Sequence, residues 1–443
     1  MNEEKYVAAL EISSSKIIAV VGKLLPSGEL DIIACETEKC VEGVKYGVIQ
    51  NLEDTSMRIQ RLVEKIQRRP GVSPREIKGV FVGLSGRSLR SITTEVKRNL
   101  PDDTEITDAI IDSLRADALQ TAIDSSLEVI DAIPRTFTVG KIETTSPKGT
   151  VGNRISGVYD LIVCRPELQR NLVRTLPDKL GISINGALVA ALTSSMIMLT
   201  PEEKRLGCMM VDFGAETTTV TIYKNGHLRY FATLPLGGRN ITRDITSLNI
   251  IETKAEDLKI TSGDAITRDS VSTLNFNGVK LSEVSNLVVA RSEEIVANVV
   301  EQISYAGLSE RDLPGGIICI GGASQLRGMT ELLANQSGLT VRRGQLPNYI
   351  HLEDTKMTSF EIIEVASVLY AGATNTDAEC LEMPQRDELP VTGHGHPDEP
   401  EPEPETTTRP KEPNKIGGFF NRIGNKVSSF FTGNDDDDTD LIE

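Results

Sequence analysis

The sequence predicts an α/β protein built from a duplicated unit, with a small α+β subdomain inserted into the first copy. Three observations carry this. A meander of three strands at 6–37 is repeated at 208–236, each copy having an acidic residue near the end of its first strand. Helical patterns follow both copies. A block at 83–165 mixing strand-like and helical segments interrupts the first.

In the first copy, Tyr6 to Glu11 reads as a strand, Ser13-Ser14-Ser15 as a turn and Lys16 to Leu25 as a second strand. Ser27-Gly28 turns the chain into a third strand, Glu29 to Thr37, and a helix follows from Leu52 to Arg69. In the inserted block, Ala109 to Ser126 is the predicted helix. The second copy begins with Cys208 to Asp212, turns at Gly214-Ala215-Glu216 and continues as Thr217 to Tyr223. Asn225-Gly226, a strong hairpin signal, leads into His227 to Leu236. Further helices are predicted at Gly238 to Leu248, Ser282 to Ala306, Gln325 to Gln336 and Ser359 to Tyr370. The expected domains are 1–82 with 166–195 and 360–383, the inserted 83–165, and 196–359.

The 443 residues suffice for two or three domains, and 39% hydrophobic with 25% charged residues is ordinary for a globular chain. A net charge of −17 argues against a nucleic-acid partner, which requires a basic face. The six cysteines at 35, 40, 164, 208, 319 and 380 show no paired spacing, so buried free thiols are expected rather than disulfides or zinc. The first residues carry no apolar leader and no apolar run is long enough to span a bilayer, so any expected membrane contact is peripheral, from the cytoplasmic side.

Residues 384–414 hold eight prolines and eight acidic residues with almost nothing apolar. This composition predicts an extended tether, able to reach on the order of 90 Å at about 3.1 Å per residue. Beyond it, 415–431 contains four of the chain's ten phenylalanines. At helical spacing Ile416, Phe419, Phe420, Ile423, Val427, Phe430 and Phe431 form one stripe, with Lys415, Arg422 and Lys426 opposite. That pattern predicts an amphipathic helix lying in a membrane surface; the alternative is docking on the protein's own body. Gly417, Gly418 and Gly424 each cost about 1 kcal/mol relative to alanine, so helix formation is expected to accompany burial of the stripe. Seven partly inserted side chains, at roughly 1.5–3 kcal/mol each when fully buried, give a reversible anchor that clustering of many copies strengthens. The tail at 432–443 is acidic.

Tight turns between strands present consecutive backbone N–H groups that cradle phosphates. Ser13-Ser14-Ser15-Lys16 and Gly214-Ala215-Glu216-Thr217-Thr218 fit that role, and also fit plain turns. Their matching positions in a duplicated unit favour phosphate. A third element, Ile317-Ile-Cys-Ile-Gly321-Gly322-Ala323-Ser324, runs a buried strand into paired glycines, where backbone could press against a flat base; an ordinary glycine-rich turn is the alternative.

These elements together resemble the nucleotide site of the actin, Hsp70 and sugar-kinase superfamily. Within it, the chain is similar to the FtsA family of bacterial cell-division proteins. The matching stretches are Leu10-Glu-Ile-Ser-Ser-Ser-Lys-Ile17, Val80-Phe-Val-Gly-Leu-Ser-Gly86, Glu128-Val-Ile-Asp-Ala-Ile-Pro-Arg135, Leu199-Thr-Pro-Glu-Glu-Lys204, Leu236-Gly-Gly-Arg-Asn-Ile-Thr242 and Ala255-Glu-Asp-Leu-Lys259. Similarity runs from about residue 5 to 380, and the tether with its terminal helix also matches the family's layout.

The resemblance implies a duplicated actin-like (ribonuclease H-like) fold with ATP in the cleft between its halves. Ser14, Ser15 and Lys16 would line the first phosphate loop, and Gly214, Ala215, Glu216 and Thr217 the second. Glu256 and Lys259 would contact ribose and base, Gly321, Gly322 and Ala323 would close over the adenosine, and Asp212 would hold a water on Mg²⁺. Two departures stand out: Glu11 and Ser13 where Asp and Gly are usual, and Ala215-Glu216 where Gly-Gly is usual. Glu216 brings a negative charge to the phosphate loop. ATP is therefore expected as a structural or regulatory ligand, hydrolysed slowly at most.

The resemblance further implies a peripheral protein of the cytoplasmic membrane face at the division septum. It would tether polymers of FtsZ through that protein's C-terminal peptide, self-associate into polymers and recruit later division proteins, the 83–165 block serving the last two roles. Arg291, on the predicted 282–306 helix, is a candidate contact for the FtsZ peptide; a solvated helix face is the alternative. The rival readings are a superfamily kinase or other ATPase, which would need a positioned carboxylate base and a sugar-sized pocket, and an actin-like adaptor of a pilus or shape system. An Hsp70-like chaperone would need a substrate domain larger than the 60 residues after Met383.

Overall fold

The computed structural model describes residues 4–384 except 41, 269–274, 277–278 and 354–356. The amphipathic helix expected at 415–431, the acidic tail and all but the first residue of the tether lie outside the described residues.

Two sheets share one plan. In the first, Lys5–Ile12, Lys16–Leu24 and Leu30–Lys39 form an antiparallel meander. Gly79–Leu84 then lies parallel to Lys5–Ile12, and Ser183–Val189 parallel to Gly79–Leu84. In the second, Cys208–Phe213, Thr218–Lys224 and His227–Leu234 form the meander. Ile317–Ile320 and then Val341–Arg343 add parallel strands in the same order. Parallel strands covered on both faces read as continuous apolar runs. Gly79–Leu84, Cys208–Phe213 and Ile317–Ile320 are accordingly buried at every position. Ile350–Leu352 crosses back to the first sheet as an extra edge strand beside Leu30–Lys39.

Local chemistry sets the ends of most elements. The Asn51 side chain accepts from the N–H groups of Glu53 and Asp54, both at 3.1 Å, and so caps the Leu52–Gln67 helix. The hairpin expected at Asn225-Gly226 has both residues at positive φ, 55° and 83°. Three expected boundaries move. The helix predicted at 109–126 spans Asp108–Leu119, and Asp124 turns the following chain by accepting from the Ser126 N–H at 2.8 Å. The helix predicted from Gln325 begins at Met329, because Gly322–Gln325 is a tight 3₁₀ turn and Gly328 takes a left-handed φ of 77°. The helix predicted at 359–370 opens as the 3₁₀ turn Ser359–Ile362, capped by Thr358, and runs on as Ile363–Asn375.

Two large apolar cores fill the halves, and the first runs on from the first half to one face of the second half's sheet, through Met210, Phe231 and Ile318. In the first, the Ile363–Asn375 and Ala190–Met198 helices pack together beside the sheet, with Leu10, Ile18, Phe81 and Leu369 fully buried. In the second, Leu281–Tyr305 lies over the sheet with Val288, Val296 and Val299 inward. The block at 83–165 has a third core around Leu114, Phe137 and Tyr159. Its strands Arg90–Glu105, Glu128–Val139, Ile142–Thr144 and Val151–Cys164 do not form an isolated sheet. They continue into the second half's sheet through one bridge, Arg90 to Ala232. Ser91 Oγ accepts from the Phe231 N–H at 3.0 Å, and Arg135 Nη2 donates to the Arg229 carbonyl at 3.1 Å, beside that seam. All six cysteines are free and buried, as the sequence suggested.

Candidate functional site

The two turns predicted to bind phosphate close in the same way. Ser13 N–H donates to the Lys16 carbonyl at 3.0 Å, and Gly214 N–H donates to the Thr217 carbonyl at 2.9 Å. A Cβ at Gly214 would lie 2.8 Å from the Thr217 carbonyl, so the second turn requires glycine. In the first, Ser13 Oγ also donates to Lys16 O at 2.8 Å, taking over part of the role a glycine turn would leave to backbone. Ser14 is buried, its Oγ accepting from Gly47 N–H at 3.0 Å. Ser15 and Lys16 remain partly accessible, and Lys16 Nζ donates to the Glu361 carbonyl at 3.3 Å.

Glu216 carries no free charge into this loop. Its buried carboxylate accepts from Tyr46 N–H at 2.7 Å, Arg239 Nη1 at 3.2 Å and Arg243 Nη2 at 2.6 Å. Burial opposes its ionisation, and these three donors outweigh burial, holding its pKa below the ordinary glutamate value. Arg239 reaches further, its Nη2 donating to the Ser14 carbonyl at 3.0 Å. The two turns are thus joined through one guanidinium.

Below the turns, three carboxyls gather: buried Glu11 and Asp212, and Glu364 at the start of the Ile363–Asn375 helix. Burial, then the neighbouring Glu364, pushes the Glu11 carboxyl up to about 8. Burial likewise raises Asp212 and Glu364, which hydrogen-bond to each other, so this pair holds a proton near neutrality. Asp212 Oδ1 is buried without a hydrogen-bond partner among the described residues. Among those residues no group of three or more His, Cys, Asp or Glu is arranged to hold a metal alone. Mg²⁺ seldom uses such a cage; it keeps its waters and leans on phosphates. A buried carboxyl oxygen without a partner of its own, beside a phosphate-type loop, fits a metal-bound water once the Asp212–Glu364 pair gives up its proton.

The residues expected around the nucleoside also converge. Lys259 Nζ donates to the Gly238 carbonyl at 3.2 Å, Thr242 Oγ1 at 3.0 Å and Glu256 Oε2 at 2.7 Å. A Cβ at Gly238 would come within 2.9 Å of the Ala323 Cβ, which brings the Gly321–Ala323 turn against this cluster. Nothing lies within 4 Å of the place a Cβ at Gly322 would take, leaving open space beside the backbone there. Arg291 stands apart on the Leu281–Tyr305 helix. Its Nε and Nη2 donate to the two Asp244 carboxylate oxygens at 2.6 and 3.1 Å, and Nη1 pairs with Glu294. A peptide carboxylate approaching Arg291 would have to share it with these acids.

A sequence model described as cell division protein FtsA matches residues 209–362, and a second, the SHS2 domain inserted in FtsA, matches 86–163. Between them they span more than half of the chain. The chain belongs to the FtsA family. Its fold is the duplicated actin-like α/β fold with an inserted α+β subdomain. The FtsA of Bacillus subtilis is 29% identical over 380 residues, covering 83% of this chain and 84% of that protein. The FtsA of Porphyromonas gingivalis is 29% identical over 330 residues, covering 72% and 68%. The FtsA of Escherichia coli K12 is 25% identical over 403 residues, covering 85% and 93%. Among solved structures, the PilM-PilN type IV pilus biogenesis complex superposes with a TM-score of 0.58 at 15% identity, covering 83% of this chain and 96% of that one. Membership of the FtsA family makes this an actin-like protein of the cell-division machinery. No helix among the described residues is long and apolar enough to cross a membrane.

Four residues of the site escaped the sequence reading: Tyr46, Arg239, Arg243 and Glu364. Arg239 follows the paired glycines of a stretch already matched to FtsA, and Glu364 is a lone acid in an apolar helix. Those were the available signals. Tyr46 contributes through its backbone and left none.

Proposed function

We propose that this FtsA-family chain binds Mg²⁺ and ATP in the cleft between its halves and tethers FtsZ polymers to the cytoplasmic face of the membrane at the septum, where it helps recruit later division proteins. The observation that supports the nucleotide part is the pair of turns closed by the same backbone hydrogen bond and joined through Arg239, with Asp212 Oδ1 buried and unpartnered among the described residues. The backbone N–H groups of Ser14, Ser15 and Gly214 to Thr217, with Lys16, would hold the phosphates, and Glu256, Lys259 and Gly321 to Ala323 the nucleoside. Mg²⁺, when bound, would supply charge neutralisation between the phosphates, held through water by Asp212. In the ligand-free chain the raised Glu11 and the paired Asp212–Glu364 hold protons near neutrality, so none of the three stands ready there as an ionised base. ATP serves here as a structural and assembly ligand, and self-association into polymers presents many tails to the bilayer at once.

Turnover under saturating Mg²⁺ and ATP is expected below roughly 1 s⁻¹, the low end for dedicated phosphoryl-transfer enzymes. Faster phosphate release from the purified chain would overturn that expectation. For the anchor, the full chain and a version ending at Met383 should be compared by co-sedimentation with anionic phospholipid vesicles. Only the full chain is expected to pellet. Equal pelleting of the two would refute anchoring through the Phe-rich segment at 415–431.

A further inference from the structure

Tyr46 and Gly47 form the two-residue turn of a hairpin between Val44–Lys45 and Val48–Ile49 in the first half, both at positive φ, 49° and 76°. A large side chain seldom adopts that conformation, so the backbone here is held for a reason. A Cβ at Gly47 would lie 2.6 Å from the Ser85 carbonyl, which seats the turn firmly on the end of the first half's Gly79–Leu84 strand. The turn aims the Tyr46 N–H at Glu216, which belongs to the second half. Arg239 crosses in the opposite sense, from the Gly238–Thr246 helix of the second half to the Ser14 carbonyl of the first. Both bonds are charge-assisted and largely shielded from water: the Glu216 side chain is 1% exposed and that of Arg239 is 16% exposed.

We propose that Glu216 and Arg239 form a latch across the cleft that gates nucleotide exchange, with Tyr46 N–H and the Ser14 carbonyl as its two strikes. The proposal rests on the nucleotide reading above and assigns these residues a positioning role within it. Admitting or releasing a nucleotide requires the halves to part, and parting them breaks both bonds. The latch therefore slows entry and exit alike, whereas a phosphate contact would slow exit alone. Arg243 shares Glu216 from the rim of the same helix and keeps its charge balanced when the latch opens.

Stopped-flow mixing of the full chain with N-methylanthraniloyl-ATP and Mg²⁺ tests this. In Glu216→Gln or Arg239→Gln, association and dissociation should both accelerate at least about ten-fold, the scale of one charge-assisted hydrogen bond. The dissociation constant should change much less than either rate. The double variant should exchange faster than either single variant but by less than the product of their effects, because the Glu216–Arg239 pair couples the two bonds. Should Glu216→Gln fail to fold, Arg239→Gln carries the test, with loss of hydrogen-exchange protection at Tyr46 N–H as a second readout. Faster dissociation with unchanged association would make Arg239 a phosphate contact and overturn the latch. Unchanged rates would overturn it too. Absence of nucleotide binding by the unsubstituted chain would instead overturn the reading on which the latch rests.

Discussion

Gly321→Ala should destabilise the protein by on the order of 3 kcal/mol and abolish nucleotide binding. Gly321 leaves the Ile317–Ile320 strand at φ 84°, ψ 155°, a region that side chains rarely enter. A Cβ there would lie 2.2 Å from Asp212 Oδ1 and 2.5 Å from the Phe213 carbonyl. Neither neighbour yields cheaply. Phe213 is in a paired strand, and Asp212 is held in the buried carboxyl cluster. Relief would have to push the turn away from Asp212, which spoils the site expected to take a metal-bound water. Gly322→Ala is the control, because its Cβ meets nothing within 4 Å. That variant should melt like the unsubstituted protein and change only nucleotide affinity. Thermal denaturation together with N-methylanthraniloyl-ATP titration checks both, and equal melting of the two variants would contradict the steric argument.

Glu364→Gln should stabilise the nucleotide-free protein at pH 8 by on the order of 2 kcal/mol and have little effect at pH 5. The sign follows from the raised values in the cluster. The folded state keeps protons on Glu11, whose carboxyl is pushed up to about 8, and on the Asp212–Glu364 pair, while the unfolded chain releases them near 4.5 and 3.8. Between those limits the folded state binds more protons, so stability falls as pH rises from about 5 to 8. Lys16 offsets only part of the repulsion, being the smaller influence on Glu11 and Glu364 beside burial. A glutamine keeps the shape and removes one charge. Urea denaturation across that pH range should show a shallower decline for the variant. An identical decline would mean that Glu364 takes no part in the cluster's titration.

The elements that local chemistry specifies were legible in the sequence. Asn225-Gly226 and the alternation around it announced a hairpin, and the two meanders announced the duplication. The Glu252–Ser262 helix was not legible as a pattern, because charged residues surround it and only Ala255, Leu258 and Lys259 are buried. Pro177 sits inside a π-helical stretch at Arg174–Leu180 that ends at the left-handed Gly181, a combination that periodicity cannot anticipate. The candidate site divides the same way. Its turns are short-range and could be read directly, whereas Glu216 looked like a bare charge. Its three donors come from residues 46, 239 and 243, and only folding brings them together. The carboxyl cluster is equally non-local, since Glu11, Asp212 and Glu364 lie in three distant parts of the chain.

The inserted block enters and leaves the chain from the first half, between Gly79–Leu84 and the Glu167–Val173 helix. Its strands, however, are stitched to the second half at Arg90 and Ala232. A body tied covalently to one partner and by hydrogen bonds to the other cannot stay at rest relative to both when they rotate. Any swing of the two halves must either tilt the block or unzip that seam. The far edge at Ile142–Thr144 lies three strands beyond the seam, where a small rotation becomes the largest displacement in the sheet. Ile142–Thr144 is therefore the part of the block that any such swing would carry furthest.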